Sequence, residues 1–423
     1  MDNQKNDISR DKQDKTLSGA DGFRAIACLM VIFLHVSMQL FPFDKPLWVG
    51  ELQKFFFTWN SGVCFFFVLS GYLLSYPFWK QYFNYGNFPD LKSYIIRRAA
   101  RIVPGYYAAL AASFILGQLI FQNIQFFWPR LIGGLTFTSS FHYITFIPAD
   151  FNPPLWSIGV EVFFYAMLPL FMAGLFYLIG GKRSFLKAIL YWLLAEILLI
   201  GLNALIHQFL TPDNINRGFQ YGSIGGAKYW MPNYNPIGLF AQFALGILAS
   251  GVMVQLSRSV SFKEKLNKIY GFDIAAAAIL VAIVIFLWYM RNTRDFGFSL
   301  QNQPYYFPFL ALLAAGLLVS LAHSKRMGRI IDNRFFRFTA RISFGLYIWH
   351  YIILNLINVF WEHNYRYMGM RDLKSWLLVS TVMIVTAYLV ASISYYFIEK
   401  PFLEKAHRKL SVNMVKKDTI ANS

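Results

Sequence analysis

Ten apolar runs, each close to the roughly 20 residues a helix needs to cross a bilayer, constrain this chain more than anything else in it. They cover residues 25–41, 56–78, 102–122, 155–177, 185–207, 236–255, 272–289, 305–322, 342–361 and 375–397. With 57% hydrophobic and only 14% charged residues, a water-soluble globule is excluded. The expected fold is therefore an all-α membrane protein, a polytopic bundle of about ten transmembrane helices.

Orientation follows from the basic flanks. On an alternating path, 29 of the 39 Lys and Arg residues fall on the side that holds the N-terminus, so the positive-inside rule predicts both termini in the cytoplasm. The net charge of +18 then reads as topology. Nucleic acid is not an expected partner, because the cations are spread over short loops instead of gathered in one soluble domain.

Residues 1–18 alternate acid and base, resemble no cleavable signal peptide, and are expected to form a disordered cytoplasmic tail. The membrane domain is expected over 19–401 and a basic cytoplasmic tail over 402–423. The two cysteines, Cys28 and Cys64, fall inside apolar runs, which suggests neither a disulfide framework nor a cysteine-based metal site. The aromatic outer segment 122–154 is a candidate for a non-spanning element that re-enters the membrane.

Four blocks could carry chemistry. In the first run, Asp21, Arg24, Cys28, Val31 and His35 recur every three or four residues. One helix face thus joins a cation at the membrane surface to an imidazole about 16 Å further along the axis. An ionisable side chain at that depth is a functional candidate by default, the bland alternative being a histidine bonded to a neighbouring helix. Arg97, Arg98 and Arg101 stand at the inner end of the third run, Arg97 and Arg101 on one helix face. They could be lipid anchors, yet the planar guanidinium suits phosphate recognition.

Ser157 and Glu161 open the fourth run from the outer side. Glu161 lies roughly 9 Å from that end, a depth matching that of His35, so the two are expected to pair, either structurally or with the carboxylate orienting the imidazole as a general base requires. Tyr347 and His350 share one face of the ninth run and read either as packing or as support for the site. Glu399, at the inner end of the tenth, is expected to pair with an arginine.

At these blocks the sequence resembles the acyltransferase-3 family of integral-membrane O-acyltransferases. The family opening, Asp-Gly-Leu-Arg-Gly-Ile-Ala with a histidine eight residues later, is similar to Asp21 to Ala27 and His35, with Ala25 in place of the second glycine. Phe66 to Leu73, Arg98 to Arg101, Trp156 to Glu161, Ser343 to His350 and Glu399 to Pro401 resemble five further family motifs in order. One position departs: Cys64 stands where many members carry an aspartate, a suggested partner for the helix-one histidine. The family's extracellular hydrolase-like extension is absent from these residues, so an acceptor is expected to bind the membrane domain alone.

The resemblance implies an acyltransferase of the bacterial inner (plasma) membrane. It would move an acyl group, often acetyl, from cytoplasmic acyl-CoA to a hydroxyl of a surface glycan or related carbohydrate, among membrane lipids and with no metal. His35 would be general base with Glu161 as its partner, or would itself be acylated first. Arg24, Arg97, Arg98 and Arg101 would hold the phosphates of coenzyme A. The rival from another class is a transporter or flippase of a lipid-linked sugar, for which no internal repeat speaks.

Overall fold

The computed structural model describes residues 17–40, 46–122, 124–178, 183–210, 216–293, 299–360 and 373–421. The described residues are helical throughout, without regular strands. Ten apolar helices follow the ten apolar runs: α1 Ala20–Ser37, α2 Leu47–Phe83, α3 Leu91–Phe121, α4 Pro153–Leu178, α5 Phe185–Leu210, α6 Pro236–Arg258, α7 Gly271–Met290, α8 Phe309–His323, α9 Arg334–Phe360 and α10 Leu373–Ser411. Nine of them, among the described residues, are long and apolar enough to cross a membrane.

The exception is α8, which has 15 residues and so spans about 22 Å, against a hydrocarbon core of roughly 30 Å. Its run was expected to begin at 305. Tyr305 and Tyr306 instead take the left-handed region, at φ 64° and 55°, and a helix cannot pass through them. Other boundaries moved for equally local reasons. The first helix starts at Ala20, five residues early, because the Asp332 carboxylate accepts hydrogen bonds from the backbone N–H groups of Gly19 (2.6 Å) and Gly22 (2.8 Å). That carboxylate serves a helix N-terminus from more than 300 residues away.

The last helix continues beyond 401, into the residues expected to form the basic tail. It passes through a π-helical turn, Tyr395–Glu399, into a helix over Lys400–Ala421. The expected N-terminal tail, apart from its last two residues, lies outside the described residues.

The bundle is built around α6, whose apolar window is 83% buried, while α5 and α7 are 17% and 28% buried and lie at the periphery. Such a contrast is what a membrane bundle shows when its outer helices face lipid. Two glycines let α2 and α6 touch along their backbones. A β-carbon on Gly71 would lie 2.1 Å from the Phe243 carbonyl oxygen, and one on Gly246 only 2.0 Å from that of Val68. Two indole N–H groups then clamp α6, Trp79 donating to the Ile247 carbonyl and Trp192 to that of Ala244, both at 2.8 Å.

The segment between α3 and α4 forms short helices, Phe127–Leu135 and Tyr143–Phe146, with a 3-10 turn at Ser139–Phe141, and α4 itself opens on a 3-10 turn at Pro153–Leu155. Arg130, fully buried, ties the segment together. Its guanidinium donates to both oxygens of Asp150 (2.6 and 2.7 Å) and to the Ile147 carbonyl. Burial pushes the Asp150 carboxyl up, but bonds from Arg130, its charge, and a bond from Ser223 outweigh this and leave the group below its ordinary value.

Candidate active site

One cavity, of about 110 Å³, is walled by α1, α2, α3, α4 and α9. It gathers Arg24, Arg98, Arg101, Ser157, Glu161 and Tyr347, together with Phe66, Ser70, Tyr165, Ser343 and Phe344. Six residues picked out separately along the sequence therefore share one space. Arg97 does not: it lies on the exposed side of α3, whereas Arg98 and Arg101, three apart, turn inward.

Two of the arginines, Arg24 and Arg101, are braced by carboxylates. Asp21 approaches Arg24 at 3.5 Å, one helical turn away on α1. Glu399, buried, approaches Arg101 at 3.9 Å, and the Arg101 guanidinium stands 6.0 Å from the Phe344 ring centroid. The π-helical turn brings Glu399 there, a local device often found at functional positions. On the same cavity wall, Glu161 accepts at one oxygen from both Ser70 Oγ (2.7 Å) and Tyr165 Oη.

Deeper in, Ser157 Oγ and Tyr347 Oη are 2.6 Å apart, and the Phe66 ring meets Tyr347 edge to face. One turn further along α9 is His350, fully buried. Its Nδ1 bonds the carbonyl oxygens of Tyr347 (2.7 Å) and Leu346 (3.1 Å), and its Nε2 lies 3.0 Å from His35 Nδ1. Carbonyl oxygens only accept, so the network assigns the proton of a neutral His350 to Nδ1 and leaves a lone pair on Nε2. His35 must then donate from Nδ1, which leaves its own Nε2 as a free base. Tyr351 packs edge-on against the His35 ring.

The expected contact between His35 and Glu161 is replaced by the contact with His350. The two side chains were matched by depth, but depth along an axis does not specify the direction in which a side chain points. Helix α1 packs chiefly on α9 and α2, so His35 meets α9, while Glu161 finds its donors on α2 and on its own helix. Cys64 is buried and does not line the cavity. Three participants were overlooked in the sequence. Tyr165 follows Glu161 by four residues, a spacing that could have exposed it. Ser70 and Phe66 lie in a motif already singled out, but only packing brings them to the site.

The sequence profile of the acyltransferase domain of the acyltransferase-3 family matches residues 17–396. Among curated proteins, the chain is 25% identical to a Staphylococcus aureus protein provisionally named an O-acetyltransferase, over 95% of this chain and 59% of that one. A Bacillus subtilis protein provisionally named a peptidoglycan O-acetyltransferase is 24% identical over 93% of this chain and 56% of its own. A Listeria monocytogenes peptidoglycan O-acetyltransferase is 22% identical over 92% and 56%. The chain thus spans somewhat more than half the length of these relatives. No solved structure matches it.

Proposed function

The chain belongs to the acyltransferase-3 family, and from that premise we propose that it moves an acyl group, acetyl in the first instance, from cytoplasmic acyl-CoA to a hydroxyl of a cell-envelope carbohydrate. The observation that carries this reading is one cavity that holds three arginines, Glu161 and the Ser157 and Tyr347 hydroxyl pair, with the histidine pair one helical turn beyond its lining. At about 110 Å³ the cavity is below the roughly 300 Å³ of common small-molecule pockets. It suits the thin pantetheine arm, with the phosphates of coenzyme A staying at Arg24, Arg98 and Arg101 in charge-assisted, bidentate bonds. From Arg24 to His35 along α1 is about 16 Å, a reach suited to that arm.

In this reading both termini are cytoplasmic, the catalytic domain covers residues 19–401, and the protein resides in the bacterial inner membrane. His35 Nε2 takes the proton of the acceptor hydroxyl, whose oxygen attacks the thioester carbonyl. His350 holds the tautomer that leaves Nε2 free. Peptidoglycan is the first acceptor to test, because two relatives bear its name.

Purified protein in lipid nanodiscs should bind acetyl-CoA and pass labelled acetyl to peptidoglycan fragments or to lipid-linked glycans. Cells lacking it should lose an ester mass from a surface glycan. No donor binding together with an unchanged ester profile would overturn the proposal and favour transport of a lipid-linked sugar.

A further inference from the structure

If the cavity receives an acyl thioester, as proposed above, the carbonyl oxygen becomes an oxyanion when the acceptor attacks, and a donor must meet it there. The polar groups lining the cavity can be eliminated in turn. Glu161 would repel an oxyanion, and Ser70 and Tyr165 both donate to Glu161. Ser343 donates to the Ala340 carbonyl at 2.8 Å. The arginines are assigned to the donor phosphates. What remains beside the histidines is the Ser157 and Tyr347 hydroxyl pair, both buried and both on the cavity wall.

That pair has a proton to redirect. Ser157 Oγ and Tyr347 Oη can each donate to the other at 2.6 Å, and each also reaches the Pro154 carbonyl, at 3.1 and 3.3 Å. The Pro154 oxygen is served as well by the backbone N–H of Trp156, so it is not orphaned if a hydroxyl turns away. Ser157 can therefore donate to Tyr347 while Tyr347 donates into the cavity. Phe66, edge-on at 5.8 Å between ring centroids, holds the phenol ring without competing for its proton. The position also fits. His350 Nδ1 bonds the backbone carbonyl of Tyr347, so the phenol and the histidine pair sit on neighbouring turns of one rigid helix.

We propose that the Tyr347 hydroxyl, oriented by Ser157, is the oxyanion donor of the transfer. The acceptor oxygen forms a bond to the thioester carbon and its proton passes to His35 Nε2. The carbonyl π electrons move onto oxygen, which Tyr347 holds by hydrogen bond. When the intermediate collapses the C=O bond reforms, the C–S bond breaks, and the departing thiolate takes the proton from His35 to leave coenzyme A as a thiol.

The test uses the full-length protein in nanodiscs with acetyl-CoA and with fluoroacetyl-CoA, whose fluorine stabilises the oxyanion without help. Tyr347→Phe should lower kcat for acetyl transfer by about 100-fold, the scale for losing one such donor, with donor affinity and melting temperature unchanged. Its loss with fluoroacetyl-CoA should be clearly smaller. Ser157→Ala, which keeps the phenol but not its orienting partner, should lose less than Tyr347→Phe in kcat. A Tyr347→Phe rate equal to wild type, a loss of donor affinity matching the loss of rate, or equal losses with both donors would overturn this role. A wild type that transfers neither acyl group would overturn the acyl-transfer reading, and this role with it.

Discussion

The arginine cluster in the cavity and the histidine pair beyond its Tyr347 wall place polar groups in an apolar bundle by opposite means. Arg24 and Arg101 retain about a quarter of their side-chain exposure, at 28% and 25%, so their charges remain partly solvated and need only loose partners at 3.5 and 3.9 Å. His350 has no exposure at all, Tyr347 and Ser157 have 6% and 4%, and only His35, which has to meet the acceptor, is half-buried. There the groups are neutral and their bonds short and directional. Charge sits where water can share its cost, and proton-handling groups sit where an unmade hydrogen bond is expensive enough to enforce one tautomer. Binding of an anion and transfer of a proton should therefore be separable by mutation.

The strongest attempt to break that separation is His35→Ala. Transfer should fall by about 10²–10⁴-fold, the usual range for a lost general base, while acyl-CoA affinity stays unchanged in a direct binding titration. If affinity falls with the rate, the two are one site. Next in size is His350→Leu, which removes the acceptor that fixes the His35 tautomer and should lower the rate by at least about tenfold. His350→Gln should recover part of that loss, because an amide oxygen can accept from His35 Nδ1. A Gln variant no better than Leu would show that the ring matters for packing alone.

The arginine cluster is sharpened by a neighbour that does not face the cavity. Arg98→Lys and Arg101→Lys should each weaken acyl-CoA binding about tenfold, the equivalent of one charge-assisted bond, whereas Arg97→Lys should change it little. Equal losses at all three would mean that surface charge, not the cavity, attracts the donor.

The smallest effect on transfer is expected at Asp150, remote from the cavity. Its carboxyl is held below its ordinary value, so it stabilises the fold above the unfolded value of about 3.9. That contribution is lost as pH falls through the folded value. Hydrogen-exchange protection over residues 127–155, with the rates corrected for the intrinsic pH dependence of amide exchange, should therefore fall on acidification in the wild type. In Asp150→Asn the protection should be lower at neutral pH and less sensitive to acid, with acetyl-CoA affinity unchanged. An acid response identical in both proteins would remove the ion pair from that account.

What the sequence determined by itself is what depends on distance along one helix. The ten apolar runs and the place of His35 about 16 Å beyond Arg24 follow from a fixed rise and a fixed rotation per residue, whereas the choice of Arg98 over Arg97 as the inward neighbour of Arg101 did not. Even the Tyr165 bond to Glu161 was legible in a four-residue spacing. What only the tertiary structure decided is what depends on which way helices face one another. His350 took the place expected for Glu161 because α1 packs against α9, and two side chains at one depth can still point to different neighbours. Helix α1 begins at Ala20 because a carboxylate from residue 332 arrives to accept its first N–H groups. Helix α8 begins at Phe309 because the chain before it enters a left-handed turn. Hydropathy measures how apolar a stretch is, and it carries no record of such angles or of partners hundreds of residues away.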